Sequence, residues 1–177
     1  MPIDVAFSVN RSLTLPLMVT VNSIVQNAKQ PDDLRFSIVI PPGASADFQP
    51  KIDSAFPHRR HQIRLLEYRP PQYMRDYLDA RFMPDSETRK TSRYMQYSRL
   101  FFKDAMPDVS RVVYFDADVI VLGDVGELYA QGEQLSTDQY VGAVPQNFPA
   151  WGYFSNPLKG WAEVKQFKRT FNSGVLL

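Results

Sequence analysis

The chain has 177 residues, 44% of them hydrophobic and 22% charged, enough for one domain with a buried core. Its net charge of +1 excludes a chain-wide electrostatic footprint for nucleic acid, so no nucleic-acid partner is expected. Cysteine is absent, which excludes a disulfide framework, a zinc–thiolate centre and an iron–sulfur cluster.

Strand-like and helix-like segments then alternate. Residues 3–9 are mostly apolar and predict a strand buried on both faces. Pro16 suits the first turn of a helix running to about Ala28, with Pro31 beyond it. Leu34–Ile40 reads as a second buried strand, closed by Pro41-Pro42-Gly43. A helix is expected over residues 46–55 and a third strand over 62–68. Between them His58-Arg59-Arg60-His61 reads as a solvated loop, with contact to an acidic substrate or an anionic membrane as the other reading. These two histidines have no spacing partner for a metal. Residues 69–91, rich in Pro, Arg and Asp, predict a long excursion with one short helix at 73–80. Residues 93–106 read as one helix, with Tyr94, Tyr97, Phe101 and Ala105 on a single stripe and Pro107 as its stop. A run of β-formers follows, Arg111-Val-Val-Tyr-Phe-Asp-Ala-Asp-Val-Ile-Val-Leu122, then a helix at Val125–Gln131 and a strand at 140–144. Residues 146–157 form an aromatic, loop-like stretch. A helix at 158–168 and a closing strand within 171–177 complete the series.

That order predicts an α/β fold, a mainly parallel sheet with helices on both faces and ligands beyond the carboxyl ends of the strands. No apolar run approaches the roughly 18 residues that span a bilayer. Met1-Pro2-Ile3-Asp4 lacks the basic region and long apolar run of a signal peptide. The expected location is cytoplasmic, free or peripheral to a membrane.

Asp116 and Asp118 carry the chemistry. Their neighbours want burial, and an ionised carboxylate there is costly unless compensated. A hard cation, Mg²⁺ or Mn²⁺, held by oxygen ligands where a strand ends, is the cheapest compensation and suits a diphosphate. The other reading is a pair of turn aspartates capping the next segment. Arg99 reads either as a packed stem with a solvated head or as a guanidinium aimed at phosphate or sugar oxygens. Phe171-Asn172-Ser173-Gly174 reads as a turn, or as an amide set against a polar ligand with glycine permitting close approach. Asn10 and Ser12 would bind a ribose or base edge, or cap the following helix.

Taken as an ordered set, these segments resemble glycosyltransferase family 8. The set comprises Val5-Ala-Phe-Ser-Val-Asn-Arg-Ser-Leu13, Pro16-Leu-Met-Val-Thr-Val-Asn-Ser-Ile24, Leu34-Arg-Phe-Ser-Ile-Val-Ile40 and Tyr97-Ser-Arg-Leu100. It continues through Val113-Tyr-Phe-Asp-Ala-Asp-Val-Ile-Val121 with Leu128, Val141-Gly-Ala-Val144 and Phe171-Asn-Ser-Gly-Val-Leu-Leu177. The resemblance implies one GT-A domain over residues 1–177, a nucleotide-sugar donor (usually a UDP-hexose such as UDP-glucose or UDP-galactose), Mn²⁺ or Mg²⁺, and retaining transfer. The acceptor would be a glycan, lipopolysaccharide or other lipid-linked sugar. By the same resemblance Asp116 and Asp118 would hold the metal, with Ala117 between them against the donor. Arg99 and Asn172 would be the catalytic residues facing the transferred sugar, with Ser173 alongside. Val9, Asn10, Ser12 and Leu13 would line the nucleoside. Many members have an acidic residue in place of Asn10, a tyrosine that stacks on the base in place of Leu13, and an aspartate in place of Gln146.

Family members continue past the position of Leu177 with polar residues beside the anomeric carbon and a histidine that completes the metal site. The expectation is therefore a front portion of a longer protein. Two other classes stand beside the transferase: a nucleotide-sugar-binding fragment without turnover, and a phosphohydrolase of the haloacid dehalogenase type. The latter normally has a hydroxyl residue where Ile120 stands.

Overall fold

The computed structural model describes residues 2–136, 138–146 and 170–177, without the side chains of 146 and 170–172. The expected helix at 158–168 and the aromatic stretch at 148–154 lie outside the described residues.

Six strands build one sheet: β1 (Ile3–Ser8), β2 (Leu34–Ile40), β3 (Ile63–Glu67), β4 (Val113–Phe115), β5 (Ala143–Gln146) and β6 (Thr170–Leu176). Their order across the sheet is β3-β2-β1-β4-β6-β5. β1 pairs in parallel with both β2 and β4, and β2 with β3. β6 lies antiparallel to β4 and β5, so among the described strands it alone runs against the rest. The mainly parallel expectation holds, with one reversal placed beside β4, the strand that leads into Asp116. All six residues of β1 are buried, as a strand covered on both faces requires.

Six α-helices complete the described fold: α1 (Thr14–Asn27), α2 (Ser45–Ala55), α3 (Gln72–Phe82), α4 (Glu87–Ser98), α5 (Phe102–Ala105) and α6 (Val125–Gln131). α1 contributes Leu17, Val21 and Ile24 to the core, and α2 contributes Phe48 and Ile52. These side chains pack with Phe7, Phe36, Ile38 and Phe115 of the sheet. At that scale, fully burying one such side chain stabilises by about 1.5–3 kcal/mol.

Three expectations need correction. Residues 69–91 carry more order than one short helix, because Ser86 caps a second helix by accepting from the Arg89 N–H. The helix expected at 93–106 is broken: α4 stops at Ser98, a 3₁₀ turn covers Arg99–Phe101, and α5 follows. Its most buried face is also not the tyrosine stripe but Met95 and Ser98. The Ser8 and Ser98 hydroxyls lie 2.6 Å apart, and both reach the Met95 carbonyl. Hydrogen bonding to the end of β1, rather than hydrophobic period, sets that rotation. Finally, the run of β-formers is a strand only over β4; residues 116–124 are loop and turn.

At the carboxyl edge of β3, Glu67 accepts from the Gly43 N–H (2.8 Å), the Ser45 N–H (3.1 Å) and the Ser45 hydroxyl (2.6 Å). Gly43 sits at φ 73°, a left-handed conformation that favours glycine. These three donors hold the Glu67 carboxyl below its usual range, the Ser45 hydroxyl most strongly. Its contribution to stability is therefore present above the unfolded pKa and is lost as pH falls through the lower folded value. Glu67→Gln should flatten the acid limb of the stability–pH curve while changing the neutral slope little, as read by urea unfolding between pH 3 and 7.

Candidate functional site

β1 and β4 run side by side, and both release the chain at the same end of the sheet. From β1 come Val9 and the turn Asn10–Leu13; from β4 come Asp116, Ala117 and Asp118. β6, antiparallel to β4, brings Ser173 and Gly174 to that end. The Gly174 carbonyl accepts from the Asp116 N–H at 2.7 Å. The reversed strand therefore delivers the Asn-Ser-Gly segment to the aspartates.

Arg99 joins these pieces. Its side chain is only 12% exposed. Nε donates to the Gln96 carbonyl at 2.8 Å and Nη1 to the Ser173 carbonyl at 2.6 Å. Nη2 lies 3.1 Å from Asp116 Oδ1. The guanidinium also lies over the Tyr114 ring, 4.4 Å from its centroid. A planar fork engaged on its edges and stacked on one face is an arrangement lysine cannot reproduce.

Asp116 is half-buried and accepts from the Tyr114 hydroxyl at 2.5 Å. Residues two apart on a strand share a face, which is why Tyr114 and Asp116 meet. Burial pushes the Tyr114 phenol well above its ordinary range; Asp116 and Asp118 add to the shift and Arg99 opposes it. The phenol therefore stays protonated and donates. Asp118 follows two residues after Asp116, in the turn that leaves β4. Asp118 is exposed, and among the described residues no hydrogen bond or ion pair engages it.

A hard cation fits this donor set in kind. Mg²⁺-like ions are commonly held by one or two carboxylates, with water and substrate phosphates filling the other positions. Among the described residues no cluster of three or more metal-ligating side chains occurs, so the two aspartates would need such outside oxygens.

Of the residues expected to line a nucleoside, Asn10 and Ser12 are engaged with each other. Asn10 Oδ1 accepts from the Ser12 N–H (3.0 Å) and hydroxyl (2.6 Å), and its amide nitrogen donates to the Ser92 hydroxyl on α4. Leu13 is partly buried against the core, and Val9 is fully buried with its N–H on the Val39 carbonyl. Asn10 therefore caps the 3₁₀ turn Arg11–Leu13, not α1, whose N-cap position is Leu13 without a side-chain capping bond. Asn172 lies on β6, but its side chain is outside the described residues.

Sequence reasoning missed four residues here. Tyr114 was visible as the neighbour two before Asp116. Thr20, Ser23 and Asn27 of α1 hold the backbone that follows Asp116, and their spacing of three and four is the signal that would have found them.

The family model described as glycosyl transferase family 8 matches residues 4–177. The chain belongs to glycosyl transferase family 8. Among curated members it is 24% identical over 181 residues to probable galacturonosyltransferase-like 4 of Arabidopsis thaliana, covering 99% of this chain and 49% of that protein. To probable galacturonosyltransferase-like 3 of the same plant it is 27% identical over 165 residues, covering 88% and 44%. The chain thus spans about half the length of the curated relatives it matches. Among solved structures it resembles the galactosyltransferase LgtC, crystallised with donor and acceptor sugar analogues. That likeness has a TM-score of 0.66 at 22% identity and covers 98% of this chain and 56% of LgtC. Mouse xyloside xylosyltransferase 1 follows with a TM-score of 0.64 at 13% identity, covering 99% and 66%. At these identities the likeness establishes the fold, a GT-A arrangement. No helix among the described residues is long and apolar enough to cross a membrane.

Proposed function

We propose that this family 8 chain is the donor-binding portion of a metal-dependent, retaining hexosyltransferase. Its donor is a nucleotide sugar, UDP-glucose or UDP-galactose, and its acceptor a glycan or lipid-linked sugar. The observation that carries this reading is the Arg99–Asp116–Tyr114 cluster, followed after β4 by an exposed Asp118 that makes no hydrogen bond or ion pair among the described residues.

Asp116 and Asp118 would hold Mn²⁺ or Mg²⁺, which when bound neutralises charge developing on the leaving diphosphate. Arg99 orients Asp116 and adds positive charge at the same place. Arg99 and Asn172 face the transferred hexose; Ala117 and Ser173 line the passage between metal and sugar. Val9, Asn10, Ser12 and Leu13 border the nucleoside. Holding donor and acceptor in register supplies the remaining advantage, by removing orientation entropy before the bond breaks.

The test is a calorimetric titration of the chain with UDP, with and without Mn²⁺. The expected result is UDP affinity at least about tenfold higher with the metal, roughly 1.4 kcal/mol. Equal affinity in both arms would count against the aspartate assignment. A second reading is nucleotide-sugar binding without turnover by this chain. Release of UDP from UDP-glucose or UDP-galactose by this chain would overturn that second reading.

A further inference from the structure

Residues 117–121, which carry Asp118, have left the sheet, so their backbone groups need partners from elsewhere. They find them on one face of α1. The Thr20 hydroxyl lies 2.7 Å from the Ala117 carbonyl and 2.7 Å from the Val119 carbonyl. Those two carbonyls flank Asp118 on either side. Ser23 Oγ accepts from the Val121 N–H at 3.0 Å, and the Asn27 amide donates to the Val121 carbonyl at 3.0 Å. Thr20 is fully buried. A threonine within a helix commonly bonds back to its own preceding turn; this one is turned outward to the loop.

We infer that Thr20 is a positioning residue for the metal loop, clasping the backbone on both sides of Asp118 so that its carboxylate is preset before any ligand arrives. Ser23 and Asn27 extend the clasp to Val121. This inference rests on the proposed role of Asp118 as a metal ligand. The same helix begins just after the Asn10–Leu13 turn. α1 is therefore a rigid bar between the nucleoside side of the site and its metal side. Presetting matters because a ligand fixed in advance loses less conformational freedom on binding.

Thr20→Val keeps the shape and removes the O–H. In the metal-free chain, it should speed amide exchange at residues 117–121 while exchange in β1 and β2 stays as in the parent. In calorimetry the Mn²⁺-dependent part of UDP affinity should fall about tenfold or more, the usual scale for losing a group that orients a ligand. Thr20→Ser should restore both. Ser23→Ala, a milder change at a half-buried site, should show the same pattern at a few-fold scale, and it carries the test if Thr20→Val fails to fold. Faster exchange with unchanged Mn²⁺-dependent affinity would overturn the inference, as would unchanged exchange. Parent protein that binds UDP independently of metal would overturn the metal reading beneath it; the exchange data would still show whether the clasp holds the loop.

Discussion

Replacing Asp118 by asparagine is expected to reduce Mn²⁺-dependent UDP affinity by at least about 100-fold, while thermal unfolding stays within about 0.5 kcal/mol of the parent. Asp118 is exposed and, among the described residues, makes no hydrogen bond or ion pair, so removing its charge strands no buried partner. The hydroxyl of Tyr114 keeps its bond to Asp116, and the loop keeps its hold on α1. A large loss of binding without loss of fold is what a ligand produces. A turn cap would give the reverse, lower stability with unchanged metal dependence. Calorimetry and a melting curve on one preparation separate the two.

Arg99→Ala should do both kinds of damage. The side chain is nearly enclosed, and its removal breaks the pair with Asp116, the bond to the Ser173 carbonyl and the stack on Tyr114 together. Truncating one member of a well-buried ion pair costs 3–5 kcal/mol, and the partial exposure of Asp116 lowers the expectation here to about 2–3 kcal/mol. For a chain of this length that is a fall in Tm of roughly 4–12 °C. UDP binding should weaken as well, because Asp116 and the start of β6 lose their common tie. Arg99→Lys restores the charge but not the fork, and should recover less than half of either quantity. Full recovery by lysine would show that a point charge suffices and that the clamp geometry is incidental.

Much of the α/β frame can be read from local pattern. Ile3–Ser8 and Leu34–Ile40 are apolar runs bounded by polar turns or prolines, and each became a strand buried over most of its length. Pro16 fell inside the first turn of α1, where a missing N–H costs nothing. Residues 116–122 misled for a physical reason. Their apolar content suits a strand, but the Ala117, Val119 and Val121 carbonyls and the Val121 N–H are taken by Thr20, Ser23 and Asn27, almost a hundred positions earlier in the chain. No local period reports such a partner. α4 misled in the same way: its tyrosines have the helical spacing of a buried stripe, yet Ser98 turns inward because Ser8 waits at the end of β1.

The chain's own composition and periodicity determined most strands and helices and the candidacy of Asp116 and Asp118, because burial pattern and residue chemistry are local properties; Arg99 was singled out by the family resemblance. Tertiary structure alone decided that β6 would run backwards beside β4, that Arg99 would close onto Asp116 and Ser173, and that α1 would hold the loop carrying Asp118. Each of these joins groups far apart in the chain, and such pairings depend on where whole elements come to rest.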